Sequence, residues 1–211
     1  MRRVMVATLA MALAVAVLGS GSATAERRER RAPVALQWQW VEWAFGSSAN
    51  PLMQEGFCGE QIGDTFFMTV TGGEPAVRRL TCEIPAGVPL LVTPGGGIAW
   101  ASADETGSEL YAILLNDLLG KTILHSVRVT LDGERLRRGP LTILGPRELA
   151  LEPGNFIQTV DPSVKGDATL VMAGGWFSYI SPLSRGQHVL RTAMRVRGVG
   201  RFVSVFEISV A

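Results

Sequence analysis

Two histidines, two cysteines, five tryptophans and a few loop carboxylates are the residues of this 211-residue chain best suited to chemistry. His188 stands in the turn Pro182-Leu183-Ser184-Arg185-Gly186-Gln187-His188, where its ring can bond loop backbone as the chain enters a strand. His125 precedes a strand beside Ser126. A Ser–His pair needs a sharp, exposed nucleophile turn and an orienting acid. No G-x-S-x-G is present, and Gly46-Ser47 and Gly107-Ser108 lie in loops without that context. Gly95-Gly96-Gly97 lacks the Lys and Ser/Thr of a phosphate-binding loop and reads as a flexible connection. Asp161, Asp167 and Glu152 could supply oxygen ligands for calcium or a glycosidase pair. No D-x-D-x-D loop accompanies them, and Asp161 before Pro162 is an ordinary turn starter. No catalytic residue, metal or cofactor is expected.

Cys58 and Cys82 are the remaining reactive pair. In an oxidising compartment two cysteines most simply form one disulfide. Free or metal-binding thiols are the rival, but zinc wants four ligands and no close ligand pair exists in sequence. Among the tryptophans, Trp38, Trp40 and Trp43 are expected to pack in the core. Trp100 in the Gly-rich stretch, and Trp176 with Tyr179 after Gly174-Gly175, are the candidate surface aromatics for stacking on sugar rings. The Arg191, Arg195 and Arg197 row would attract an anionic polymer, against the default of a solvated strand face.

The compartment is read from the first 25 residues. Arg2-Arg3, an apolar run from Val4 to Leu18 and Ala23-Thr24-Ala25 follow the order of a secretory signal peptide cut after Ala25. The run is shorter than the roughly 20 apolar residues of a membrane span. Residues 1–31 hold six Arg and two Glu, a charge of +4 that leaves −3 on the remainder. Nothing there resembles the basic footprint of a nucleic-acid binder. The expected plan is a signal peptide (1–25), a charged disordered leader (26–34) and one β-sandwich domain (35–211), since the mature length suits a single core.

Several elements must position these residues. Leu36–Phe45 alternates as a strand with a switch of face near Val41, attributed to a bulge. Strand signals follow at Thr65–Thr71, Val77–Ile84, Val88–Thr93, Val127–Leu131, Leu141–Leu144, Phe156–Val160, Thr169–Met172 and Trp176–Ile180. Asp132-Gly133 marks a tight turn. One helix is expected, opened by Thr106-Gly107-Ser108-Glu109 as a capping box and closed by Gly120. Its leucines leave little polar surface, so it packs against a sheet or a partner. Leu190, Thr192, Met194 and Val196 face inward on one arm of a hairpin, and Phe202, Phe206, Ile208 and Val210 on the other. The pattern predicts an all-β, antiparallel two-sheet sandwich, jelly-roll or Ig-like, with one short α-helix.

The motifs Cys58-Gly59-Glu60-Gln61-Ile62-Gly63, Cys82-Glu83-Ile84-Pro85-Ala86-Gly87, Leu131-Asp132-Gly133 and Pro182–His188 come in an order with a family likeness. That order resembles a group of secreted bacterial single-domain β-sandwich proteins. The resemblance implies an exported all-β domain with one disulfide, and it carries no catalytic residue. The chain departs from the group's pattern at Val88-Pro89-Leu90-Leu91-Val92 and at Gly95-Gly96-Gly97, where polar loop residues are replaced. The expectation is an exported, non-catalytic binding or envelope-structural module, with polysaccharide or another envelope protein as partner and no nucleic acid. The alternative is an extracellular hydrolase acting on cell-wall or other polysaccharide through loop carboxylates.

Overall fold

Strict alternation at the C-terminal end builds the longest hairpin, β10 (Gly186–Val196) with β11 (Gly200–Val210), paired residue for residue from Gly186↔Val210 to Val196↔Gly200. In the computed structural model, which describes residues 30–69, 77–101, 106–120, 126–137 and 139–211, this hairpin is the centre of one of two packed sheets. β6 (Arg128–Leu131) pairs with β10 and with β7 (Glu134–Leu136). The β6–β7 turn places Asp132 at φ 52° and Gly133 at φ 84°, the left-handed pair that a two-residue hairpin turn demands. β4 (Val77–Ile84) joins the free side of β11 in parallel.

The second sheet is organised on β9 (Ala168–Ile180), 13 residues long. β8 (Leu141–Ala150) and the short β1 (Arg30–Arg31) share one edge of it. β5 (Leu90–Trp100) takes the other edge, followed by β3 (Thr65–Met68) and β2 (Gly59–Ile62). Leu90, Val92, Ile180, Leu190, Phe206 and Ile208 meet between the sheets as the sandwich core. The fold is a two-sheet β-sandwich. Its sheets are mixed, because β3 runs parallel to β5 and β4 parallel to β11.

Four expectations are corrected. Leu36–Phe45 is helical: α1 (Val34–Val41) starts behind Pro33 and widens into a π-helical turn over Glu42–Gly46. The change of parity at Val41 was the mark of a 3.6-residue period forced onto a two-residue template. Gln37, Trp40, Val41 and Ala44 recur at i, i+3, i+4 and i+7 on one buried face. Phe156–Val160 is also helical, α3, capped by Asn155, whose side-chain oxygen accepts from the Gln158 amide at 2.9 Å. Residues 30–34, assigned to a disordered leader, are ordered as β1 and the start of α1, with Ala32 buried. The expected glycine loop at 95–97 is the middle of β5, as shown below. The expected signal peptide, the rest of the leader and His125 lie outside the described residues.

The helical layer covers the face of the β9 sheet away from the sandwich core. Trp40 is its hub, meeting Trp43, Phe45 and Phe177 edge-on at 5.9–6.2 Å and donating its indole N–H to the Met68 carbonyl at 3.0 Å. Arg147 lies over Trp38, 5.2 Å from the ring, and pairs with Glu42 at 3.0 Å. The capping box at Thr106 and Glu109 forms as expected and opens α2 (Gly107–Ile113). Leu110 and Leu114 of this helical segment are fully buried on Ala99 and Met172, so these two leucines pack inside the molecule.

Cys58 and Cys82 are joined, with Cα atoms 5.7 Å apart. Cys58 leads into β2 at the edge of one sheet, and Cys82 sits in β4 at the edge of the other. The bond therefore staples the two sheets together along one border. Closing a loop of this length stabilises by about 3–4 kcal/mol in the chain-entropy model. A Cys58→Ala/Cys82→Ala double variant is expected to lose about 3 kcal/mol of unfolding free energy in urea denaturation while keeping its far-UV β signature. An unchanged denaturation midpoint would count against the staple.

Candidate functional site

The site begins with two runs of small residues. Gly95, Gly96 and Gly97 of β5 pair with Trp176, Gly175 and Gly174 of β9. A Cβ on Gly96 would meet the Gly174 carbonyl oxygen at 2.6 Å, and one on Gly175 the Gly95 carbonyl oxygen at 2.7 Å. Only glycine permits so close a backbone approach. The pairing register slips between Val92 and Gly95, so Thr93 and Pro94 bulge from the ladder. Among the described residues, β5 keeps β3 as a neighbour only at Leu90 and Leu91.

A cavity of about 540 Å³ lies beside this stretch. Trp40, Val41 and Phe45 of the helical layer and Phe156 and Val160 of α3 line one side. Thr192, Met194 and Phe202 of the β10–β11 hairpin line another. Gly95–Gly97, Gly174 and Phe177 form the floor, and Leu52 and Met53 complete the wall. Met53 and Val160 are about half exposed and mark the mouth. None of the described lining residues carries a charge. Thr93 belongs to the wall, is 6 % exposed, and its hydroxyl has no hydrogen-bond partner.

Local bonds hold the mouth in place. Glu152 accepts from both the amide and the hydroxyl of Ser48 at 2.8 and 2.7 Å, and Asn50 donates to the Gly154 carbonyl at 3.0 Å. These strap the segment carrying Leu52 and Met53 onto the turn before α3. The Ser48 amide, with its hydroxyl second, holds the Glu152 carboxyl below its ordinary range. Trp100 donates its indole N–H to Asp161 at 2.9 Å, joining the end of β5 to the end of α3. The Asp161 carboxyl is held below its ordinary value by the Ser163 hydroxyl first, then by Trp100, the Ser163 amide and Lys165.

The candidate aromatics separate. Trp100 lines the cavity. Trp176 is 2 % exposed and faces the hairpin, with Tyr179 half-buried against the helical layer's core. Trp176 is thus buried where a surface aromatic was expected. His188 does meet a carboxylate and a serine: Nδ1 is 2.8 Å from Asp132 Oδ2, and Nε2 is 3.3 Å from Ser184 Oγ. Nε2 lies nearer the Ser184 carbonyl, at 2.8 Å, and the ring is buried. The ring thus clasps the Pro182–His188 turn to the β6–β7 turn, the structural role read from the sequence. Among the described residues no group of three or more His, Cys, Asp or Glu could hold a metal, and no helix is long and apolar enough to cross a membrane. Exposed Arg79, Arg128, Arg191, Arg195 and Arg201 occupy the outer face of the β10–β11 sheet, flanking Ala193, Val203 and Val205.

The cavity itself went unread in the sequence. Its signals were the paired glycine runs, which look like loops until the strands beside them are known.

No family model and no curated protein matches the chain. A solved structure titled "Structure of PbICP-C in complex with falcipain-2" aligns with 71 % of this chain and 100 % of that one, at 10 % identity and a TM-score of 0.30, a likeness too slight to carry argument.

Because the folded Asp161 carboxyl titrates below its ordinary 3.8, its tie to Trp100 stabilises fully above that value and is lost as pH falls through the lowered one. The fluorescence difference between the wild type and a Trp100→Phe variant is expected to stay flat from about pH 8 to about pH 5 and to change only below about pH 4. In an Asp161→Asn background the acid change should vanish. A transition near neutrality would contradict the assigned pairing.

Proposed function

We propose that this protein is an exported, non-catalytic binding module whose ligand site is the apolar cavity beside β5. The cavity carries the reading: about 540 Å³ falls within the roughly 300–1,000 Å³ of small-molecule sites, and its wall is almost wholly aliphatic, aromatic or glycine. Export is supported by the signal-like first 25 residues, by the disulfide and by the resemblance to secreted sandwich proteins. The hydrolase alternative finds little support. Glu152 and Asp161 are committed to Ser48, Ser163 and Trp100, and the His188 ring is turned into a buried clasp.

A second reading rests on a separate observation, the arginines on the outer face of the β10–β11 sheet. Arg195 lies opposite Arg201, and Arg191 opposite Thr130, with Glu207 pairing Arg79 at 3.5 Å. A linear anionic polysaccharide across that face would meet the exposed guanidinium groups of Arg128, Arg191, Arg195 and Arg201. Retardation in a polygalacturonate gel, abolished in an Arg191→Glu/Arg195→Glu variant, would support it, and equal mobility of the two proteins would remove it.

For the cavity, Nile red is the probe. Its fluorescence is expected to rise on binding, and Val160→Trp, which fills the mouth from a position already half exposed, should weaken that binding at least about tenfold. Nile red binding indifferent to Val160→Trp would place the site elsewhere.

A further inference from the structure

The outer face of the β10–β11 sheet spreads its cations in two dimensions. Directly opposed residues of neighbouring strands share a face, so the register lays the arginines in three adjacent rows. Arg195 lies opposite Arg201. The next row runs Arg128, Ala193, Val203, Val77, and the third Arg135, Thr130, Arg191, Val205, Arg79. Arg137, just past β7, lines with Arg128 and Arg135 an open hollow of about 450 Å³ at the sheet's edge. All seven arginines are exposed. With strands about 4.8 Å apart and same-face neighbours about 6.7 Å apart along a strand, they cover about 19 by 13 Å. The three rows hold no acidic residue, and Glu207 and Glu83 of the same face come in the two rows beyond. Residues 32–211 contain 14 Lys and Arg against 17 Asp and Glu, so the chain off this patch keeps seven cations for 17 acids. Like charges directly opposite, as at Arg195 and Arg201, weaken a sheet unless an anion lies over them.

We propose that this face docks on a bilayer surface rich in anionic phospholipid. A linear polyanion follows one line across a sheet, whereas guanidinium groups spread over three rows and five strands call for charge in two dimensions. A plane of lipid headgroups supplies it, and each arginine near such a surface adds attraction. Guanidinium groups grip phosphate oxygens through paired N–H donors, and three of them border the hollow that a headgroup phosphate can enter. Two apolar side chains favour lipid over a polysaccharide. Val77 ends the middle row and Val199 stands in the turn beyond Arg195 and Arg201, both more than half exposed. A bilayer has an apolar layer beneath its anions to receive them, and a sugar polymer has none. The acidic remainder of the domain is repelled by the same surface, which fixes the orientation of docking.

Co-sedimentation with vesicles tests this on the exported chain, which begins after Ala25 so that the apolar run before it does not itself enter the bilayer. The vesicles are phosphatidylcholine alone, or phosphatidylcholine with about 30 % phosphatidylglycerol. The protein should sediment with the anionic vesicles in about 0.1 M salt, not with the neutral ones, and should be released at about 0.5 M. Arg191→Glu/Arg195→Glu/Arg201→Glu should weaken binding at least about tenfold. Arg135→Glu/Arg137→Glu, at the sheet's edge, should weaken it at least about threefold, and it carries the test if the triple variant fails to fold. Lys165→Glu/Arg185→Glu makes the same charge change off this face and should bind within about twofold of the wild type. Equal sedimentation with both kinds of vesicle, or a loss in Lys165→Glu/Arg185→Glu as large as that in Arg135→Glu/Arg137→Glu, would overturn the proposal. Retardation by polygalacturonate without sedimentation on anionic vesicles would also overturn it and assign the face to the polymer. Nile red binding by the arginine variants reports the cavity separately, so that reading survives or fails independently of the vesicles.

Discussion

The close passage of β5 over β9 is the constraint on which the rest depends. Gly96 and Gly175 face one another's backbone at distances no Cβ tolerates, and the obstructing atoms are carbonyls that no rotamer change can move. That passage lets β9 keep partners on both edges while β5 bulges at Thr93 and Pro94. It also strips side chains from the centre of the sheet. The helical layer on one face and the β10–β11 hairpin on the other then approach a strip with nothing standing on it, and the space they leave is the cavity.

The two ends of the sandwich are built differently. Around Cys58 and Cys82 the sheets are bolted at their edges and filled with Leu80, Ile84, Ile208 and Val210. Phe202 lies six residues along β11 from Ile208, with Met194 opposite it on β10, and there the inward side chains line open volume. One end of the sandwich is thus closed and the other hollow. Preformed space costs a ligand little reorganisation.

Legibility followed the number of interactions each residue answers to. The β10–β11 hairpin, the Asp132-Gly133 turn and the capping box at Thr106 depend on neighbours close in sequence, and each was readable. The disulfide followed from compartment and count alone. Leu36–Phe45 misled because tryptophans at alternate positions mimic a strand, and only the partners Met68 and Phe177 reveal that the segment coils over a sheet. Gly95–Gly97 misled for the opposite reason. Glycine's strand character here belongs to Gly174 and Gly175, some eighty residues on, so no local pattern could announce it. Thr93 looked like an ordinary strand residue, since a missing hydrogen bond leaves no trace in sequence.

The place of β11 has a consequence for how the molecule comes into being. It is the last strand, yet it sits inside its sheet, with β10 on one side and β4 in parallel on the other. Val77 pairs with Val203, which lies far along the chain from it. Pairings so distant in sequence close slowly. The pairing of β4 with β11 thus joins the two partners of this sheet that lie farthest apart in sequence.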